Sequence, residues 1–200
     1  MRAANVRTPT AVTRTTRETD VQVILGSDAP GLDVAVPIFQ HFLNACLTTW
    51  GCPARVEARG DVDVDPHHLV EDVGLVLGRA LAEHWPGYRD IARYGWAVVA
   101  MDDARAEVAL DLSGRAGCWL EKVPDGAVNG LESEVLGEFW QGVARGGELT
   151  LHLNIPAGNS RHHRWEAAFK ALGLALRQAT EPREGTLSTK GVIRHAGRDH

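Results

Sequence analysis

His67-His68-Leu69-Val70-Glu71 recurs as His162-His163-Arg164-Trp165-Glu166, so one His-His-x-x-Glu cluster is written twice, 95 positions apart. If each cluster opens a helix, the Glu falls four residues after the first His and three after the second. All three side chains can then converge on one helix face. The match continues downstream at the same offset, with Leu77-Gly78-Arg79-Ala80-Leu81 against Leu172-Gly173-Leu174-Ala175-Leu176. The repeated unit is therefore a whole helix. A single His-His pair reads first as the start of a surface helix; duplication with Glu in register turns the reading to a duplicated metal site.

Outward from these clusters the chain alternates strand and helix patterns. Residues 1–13 are polar, rich in Thr and Arg, and without periodicity, and read as a mobile N-terminal arm. The expected catalytic domain spans residues 14–194 in two similar halves, about 14–98 and 99–194. Residues 18–24 alternate as a half-buried strand, 27–31 carry turn chemistry, and 32–36 are expected to complete a hairpin. Phe39, Phe42, Leu43, Cys46 and Leu47 recur at helical spacing over 38–48, a helix that carries His41. A strand over 56–64 follows. Asp65 and Pro66 then supply a cap and a first-turn proline for a helix that runs to about His84. The second half repeats this order with a strand (106–112), an irregular segment, a helix (131–145), a strand (149–155), a turn (156–160) and a helix (162–180). Two β-β-α-β-α units result. Each unit exposes an apolar face alone, and packing the helices between two sheets covers both faces.

The 200 residues, 44% hydrophobic and 24% charged, fit one globular domain or two fused half-domains sharing a core. A net charge of −5 with scattered Arg residues excludes a basic field for nucleic acid. No apolar run approaches the ~18 residues of a membrane span, and residues 1–13 lack the pattern of a secretory signal, so a cytoplasmic protein is expected. Cys46, Cys52 and Cys118 are odd in number and lack C-x-x-C spacing, which reads as buried thiols rather than a disulfide framework or zinc ribbon.

Six of the nine His residues fall where they could serve the site: His41, His67, His68, His152, His162 and His163. With Glu71 and Glu166 they make eight candidate ligands, which divide into four per ion for two ions and leave open octahedral positions for substrate and water. Imidazole and carboxylate without thiolate point to Mn²⁺, Fe²⁺, Co²⁺ or Zn²⁺, of which zinc usually takes fewer ligands. Alone, His41 and His152 would read as satisfied core histidines. His84, His195 and His200 have no such company and read as ordinary.

The ordered motifs of the chain resemble those of the imidazoleglycerol-phosphate dehydratase family. The resemblance spans Arg14 to about Arg194. It rests on Arg17-Glu18-Thr19, His41, Gly60-Asp61, both His-His-x-x-Glu clusters, Arg93-Tyr94-Gly95, Met101-Asp102 and Asp111-Leu112-Ser113-Gly114-Arg115. Leu151-His152, Gly158-Asn159 and Ser188-Thr189-Lys190-Gly191 complete it. The resemblance implies an α/β (α+β) fold of duplicated half-domains, the type named after domain 2 of ribosomal protein S5. It implies two Mn²⁺ per active site and trimers assembled into a large hollow shell, 24 subunits in all, with metal bridging subunits. It also implies a hydro-lyase of histidine biosynthesis that dehydrates the small phosphorylated substrate D-erythro-imidazole-glycerol phosphate to imidazole-acetol phosphate. Glu18 matches the family's active-site Glu and is expected to act in proton transfer or positioning. Glu71 and Glu166 are the other expected catalytic carboxylates, and Arg93, Arg115, Ser188, Thr189 and Lys190 the phosphate-binding set.

Several positions depart from the family pattern: Gln40 for a usual Asp before the ligand His, Val34-Ala35 for Thr-Gly, Phe42 for Met, Asp103 for Glu and Leu187 for Pro. None removes an expected ligand. The alternative reading is a diverged paralogue that keeps the metal-bound shell with an altered substrate or a structural or regulatory role. A dinuclear hydrolase would fit the ligand types but leaves the phosphate set unexplained.

Overall fold

Residues 8–185 are described by a computed structural model, so the expected phosphate residues Ser188, Thr189 and Lys190 lie outside the described residues. The first half runs β1 (Thr10–Thr15), β2 (Thr19–Leu25), β3 (Gly31–Val34), α1 (Pro37–Trp50), β4 (Ala54–Gly60) and α2 (His67–His84). The second runs β5 (Tyr94–Met101), β6 (Ala104–Asp111), β7 (Gly117–Glu121), a short hairpin of β8 (Ala127–Val128) and β9 (Leu131–Glu132), α3 (Ser133–Gly147), β10 (Thr150–Ala157) and α4 (Arg161–Ala179). The sheets are ordered β1-β2-β4-β3 and β5-β6-β10-β7. In each, three strands are antiparallel and the last edge strand runs parallel to its neighbour, so both sheets are mixed and their topologies match.

The strands correct the sequence reading in three places. β1 pairs with β2 from Thr10↔Leu25 to Thr15↔Asp20, so residues 10–13 belong to the sheet and not to an arm. Only Val12 of that strand is buried, and its Thr and Arg neighbours hide the alternation. β3 does not return against β2; it joins the far edge of the sheet, parallel to β4. β5 and β7 complete the second sheet, so each unit is β-β-β-α-β-α, and the boundary between halves falls before Tyr94 rather than at residue 98. β5 escaped the pattern because its large side chains point outward, with Trp96 64% and Val98 65% exposed.

The helices lie between the sheets. α2 covers β1, β2 and β4, and α4 covers β5 and β6, while α2 crosses α3 and α1 crosses α4. At the centre Phe39, Phe42, Phe139 and Phe169 are fully buried, with centroids 5.4 Å apart for Phe39–Phe139, 5.5 Å for Phe42–Phe169 and 5.1 Å for Phe139–Phe169. These contacts join both halves into one core. No helix among the described residues is long and apolar enough to cross a membrane.

The glycine repeated in the sequence marks both crossings. A Cβ on Gly78 would sit 2.4 Å from the Val143 carbonyl oxygen of α3, and one on Gly173 would sit 2.1 Å from the Cys46 carbonyl oxygen of α1. Both obstacles are backbone and cannot swing aside. Gly78→Ala and Gly173→Ala should therefore each cost about 1–3 kcal/mol through overpacking, read as a lower denaturation midpoint. Gly137→Ala, whose added methyl meets only Leu120 Cδ1 at 3.4 Å, should leave that midpoint unchanged or raise it slightly.

Candidate metal centre

Both clusters sit in the first turn of a capped helix. Asp65 Oδ1 accepts the His67 N–H at 2.8 Å, from just ahead of α2, and Ser160 Oγ accepts the His163 N–H at 3.3 Å. These bonds satisfy orphan donors and fix where each helix begins. The i,i+4 spacing then brings His162 Nε2 to 3.1 Å from Glu166 Oε2, and His67 Nε2 to 3.7 Å from Glu71 Oε2.

Each first His and its Glu gain a third group from the helix they cross. His41 of α1 places Nε2 3.5 Å from Glu166 Oε2, and the donor atoms of His41, His162 and Glu166 all lie within 4.8 Å of one another. Glu138 of α3 stands likewise beside His67 and Glu71, again within 4.8 Å. Glu138 was not read from the sequence, because a lone Glu on an amphipathic helix carries no signal. The second His of each pair turns to a hairpin tip of its own sheet. His68 Nδ1 is 3.3 Å from Glu18 Oε2 at the β1–β2 turn, with Asp61 completing a third group. His163 Nδ1 is 2.7 Å from Asp103 Oδ1, and its Nε2 is 3.4 Å from Asp102 Oδ2, at the β5–β6 turn. Asp103, a departure from the family pattern, thus holds in the second half the place that Glu18 holds in the first.

Within one chain the two clusters do not merge into a single centre of eight ligands. The fold carries each cluster to the other half's first helix, so they enter different groups. His41 and His162 line a cleft of about 630 Å³, whereas Glu18, His68 and Glu71 line another of about 350 Å³. His152 joins none of the donor groups among the described residues. It alternates outward on β10 between buried Leu151 and Leu153, and stacks on Trp119 with centroids 4.7 Å apart. Arg93 and Arg115 meet at one carboxylate. Arg93 donates to both oxygens of Asp111 at 2.6 and 3.0 Å, and Arg115 Nη2 lies 4.0 Å from Asp111 Oδ2. Gln40 does not orient His41; its amide oxygen accepts the Val34 N–H at 2.8 Å and ties α1 to β3. Of the three cysteines only Cys46 is fully buried, its thiol pushed up to about 12 by that burial.

Electrostatics holds two of these carboxylates, Glu166 and Asp103, below their ordinary pKa. Burial works against Glu166, but Lys170 Nζ at 2.8 Å and the nearby His41 outweigh it and keep the Glu166 pKa below its ordinary value. Arg145 of α3 forms an ion pair with Glu71 across the α2–α3 crossing. The hydrogen bond from His163 and the backbone N–H of Asn159 lower Asp103 to about 2, and the same bond to Asp103 raises His163. A depressed acid stabilises above its unfolded pKa and loses that contribution as pH falls through the folded value; a raised imidazole stabilises below its unfolded pKa and loses it as pH rises through the folded value. This ion pair therefore persists from about pH 2 up to the raised pKa of His163.

Imidazole and carboxylate donors without thiolate, their donor atoms within 4.8 Å of one another, fit a divalent metal ion. Fold and donors together define a duplicated α/β protein with paired His/carboxylate candidate metal sites. The family model of imidazoleglycerol-phosphate dehydratase matches residues 34–176. Imidazoleglycerol-phosphate dehydratase of Desulforudis audaxviator is 43% identical over 188 residues, covering 91% of this chain and 96% of the relative. That of Methanocaldococcus jannaschii is 43% identical over 190 residues, covering 92% and 94%. The crystal structure of the Pyrococcus furiosus protein matches with a TM-score of 0.82 at 39% identity, covering 91% of this chain and 100% of that one. The chain belongs to the imidazoleglycerol-phosphate dehydratase family.

Asp103→Asn should move the His163 titration down toward the ordinary imidazole value. Histidine C2-proton exchange of metal-stripped protein, followed by mass spectrometry across pH, measures this directly; an unmoved midpoint would show that Asp103 does not set the His163 charge.

Proposed function

We propose that this chain is a Mn²⁺-dependent carbon–oxygen lyase that converts D-erythro-imidazole-glycerol phosphate to imidazole-acetol phosphate in histidine biosynthesis, in the cytoplasm. The observation that carries the reading is the pair of matching donor groups, His41/His162/Glu166 and His67/Glu71 with Glu138, built at equivalent helix crossings in a chain of this family.

The reaction is difficult because the departing proton sits on a carbon with no adjacent carbonyl. A bound divalent cation would supply Lewis-acid polarisation of the substrate's imidazole. His41, His67, His68, Glu71, His152, His162, His163 and Glu166 are the proposed ligands for two Mn²⁺ per active site. Glu18, which lies beside His68 in the smaller cleft, would act in proton transfer or in positioning a polar group. Arg93 and Arg115, gathered at Asp111, would bind the phosphate, and Ser188, Thr189 and Lys190 are proposed for the same role.

A centre split between two clefts fits assembly, in which neighbouring copies bring the groups together. The outer face of the second sheet supports this. Trp96, Ala109, His152 and Trp119 form one row across it, Trp96 and Trp119 being 64% and 50% exposed. Such apolar faces on soluble chains are usually covered, and His152 would then ligate a metal shared with a neighbour. Trimers joined into a shell of 24 chains are the proposed state. The outer face of the first sheet carries Asp20, Arg55 and Arg59 instead.

Mn²⁺-loaded protein should convert imidazole-glycerol phosphate to a ketone product detected by its absorbance in alkali. Absence of turnover by fully metallated protein would favour the diverged paralogue. His67→Ala and His162→Ala should abolish activity. Lys190→Ala should chiefly raise KM if it binds ground and transition states alike, and unchanged kinetics would remove Lys190 from the phosphate site.

A further inference from the structure

Helix α2 carries one more charged side chain into the core, directly after its ligand cluster. Asp72 follows Glu71 and is buried, whereas the residue 95 positions on, Ala167, fills the equivalent place in α4 with a methyl group. A buried carboxylate is costly unless its oxygens are satisfied, and here both are. Arg14 of β1 donates Nε–H to Asp72 Oδ1 at 2.7 Å, and Thr19 of β2 donates its hydroxyl to Oδ2 at 2.6 Å. These two residues flank the β1–β2 turn that presents Glu18. With the Thr19 proton committed to Asp72, only Thr16 can donate in the 3.0 Å contact between the Thr16 and Thr19 hydroxyls. Thr16 Oγ1 then keeps its lone pairs for the backbone N–H groups of Glu18 and Thr19, at 3.1 and 3.0 Å. The Glu18 carbonyl accepts from the Asp61 N–H at 3.1 Å, so the Glu18 backbone is held on both sides. Its side chain is 54% exposed, so burial does not fix it. Where it stands, 3.3 Å from His68 Nδ1, follows from where the turn is held.

We infer that Asp72 is a positioning residue for Glu18, a buried carboxylate whose hydrogen bonds to Arg14 and Thr19 lock the β1–β2 turn onto α2 and hold Glu18 against His68. The inference rests on the role proposed above for Glu18 and adds what keeps that group in place. Arg14, Glu18 and Asp72 line the same cleft of about 350 Å³, so a displaced turn is felt at the site. The second half anchors its hairpin from the other side. There the carboxylate, Asp103, sits on the tip itself and accepts the N–H groups of Asn159 and Ser160 ahead of α4, at 2.5 and 3.2 Å. Asp72→Asn keeps the shape but turns one acceptor into a donor. Facing Thr19, the new amide makes that hydroxyl accept and send its proton to Thr16, in competition with the two backbone N–H groups. Facing Arg14, it sets donor against donor.

The test joins amide hydrogen exchange, read by mass spectrometry, to kinetics of the Mn²⁺-loaded full-length protein. Asp72→Asn should speed exchange of the peptide carrying the Glu18 and Thr19 amides by about tenfold or more. The β5–β6 tip at Asp102 and Asp103 should exchange as in wild type, a contrast that general destabilisation would not produce. In the same variant kcat should fall by about tenfold or more with KM nearly unchanged. The double variant Glu18→Gln/Asp72→Asn should be no slower than Glu18→Gln alone, because a turn that no longer presents a carboxylate has nothing left to misplace. Losses that multiply in the double variant would overturn the inference, as would wild-type exchange at the turn of Asp72→Asn. If Asp72→Asn does not fold, Thr19→Val removes only the hydroxyl link and should show the same local exchange and the same fall in kcat; a Thr19→Val protein matching wild type in both would equally overturn it. Failure of the dehydratase reading looks different: a wild type without turnover would end that reading, and the exchange comparison would still decide whether Asp72 holds the turn.

Discussion

Everything in this structure depends on two helix crossings where backbone meets backbone. α2 lies against α3 and α4 against α1, and at each crossing the matched glycine, Gly78 or Gly173, lets a carbonyl oxygen approach closer than any Cβ permits. A wider separation would part the donor atoms of the groups that span the crossings, because His41 and Glu138 reach the clusters from the opposing helix. The same crossings interleave Phe39, Phe139 and Phe169 into a core neither half could close alone. Packing and chemistry thus share one geometric constraint.

Duplication gives each cluster the same two-sided environment. The first His and the Glu face the other half's helix, and the second His faces a carboxylate at its own sheet's first hairpin. What differs is the local charge. Lys170 balances Glu166 from the same helix, four residues on, while Arg145 balances Glu71 from across the crossing. His163 is gripped by both Asp102 and Asp103, whereas His68 has Glu18 with Asp61 nearby. Equivalent positions of the two halves have thus diverged in the charged partners they meet.

Much of the architecture was legible in the sequence. The His-His-x-x-Glu repeat announced the duplication and both motif helices, since a ligand cluster at i, i+1 and i+4 has one economical explanation. The helix over α1 was visible from Phe39, Phe42, Leu43 and Cys46 alone. Strand β5 was not, because Trp96 and Val98 sit on the face where a solvated sheet would carry polar residues, and β1 was obscured by Thr and Arg around the one inward residue, Val12. The edge position of β3 was equally hidden, since pairing direction is not written in a four-residue strand.

By itself the sequence determined the donor types, their spacing within each cluster and the resemblance that names the family, because these are local or countable properties. Tertiary structure decided which donors meet. Glu138 joined a candidate metal-binding group and Asp103 took hold of His163 only because helices and hairpins far apart in the chain were brought together. His152 faced away because strand alternation put it outside the helix layer. The physical reason is range: a periodic pattern fixes the face of one element, while the pairing of faces follows from burying the apolar surface of both halves at once.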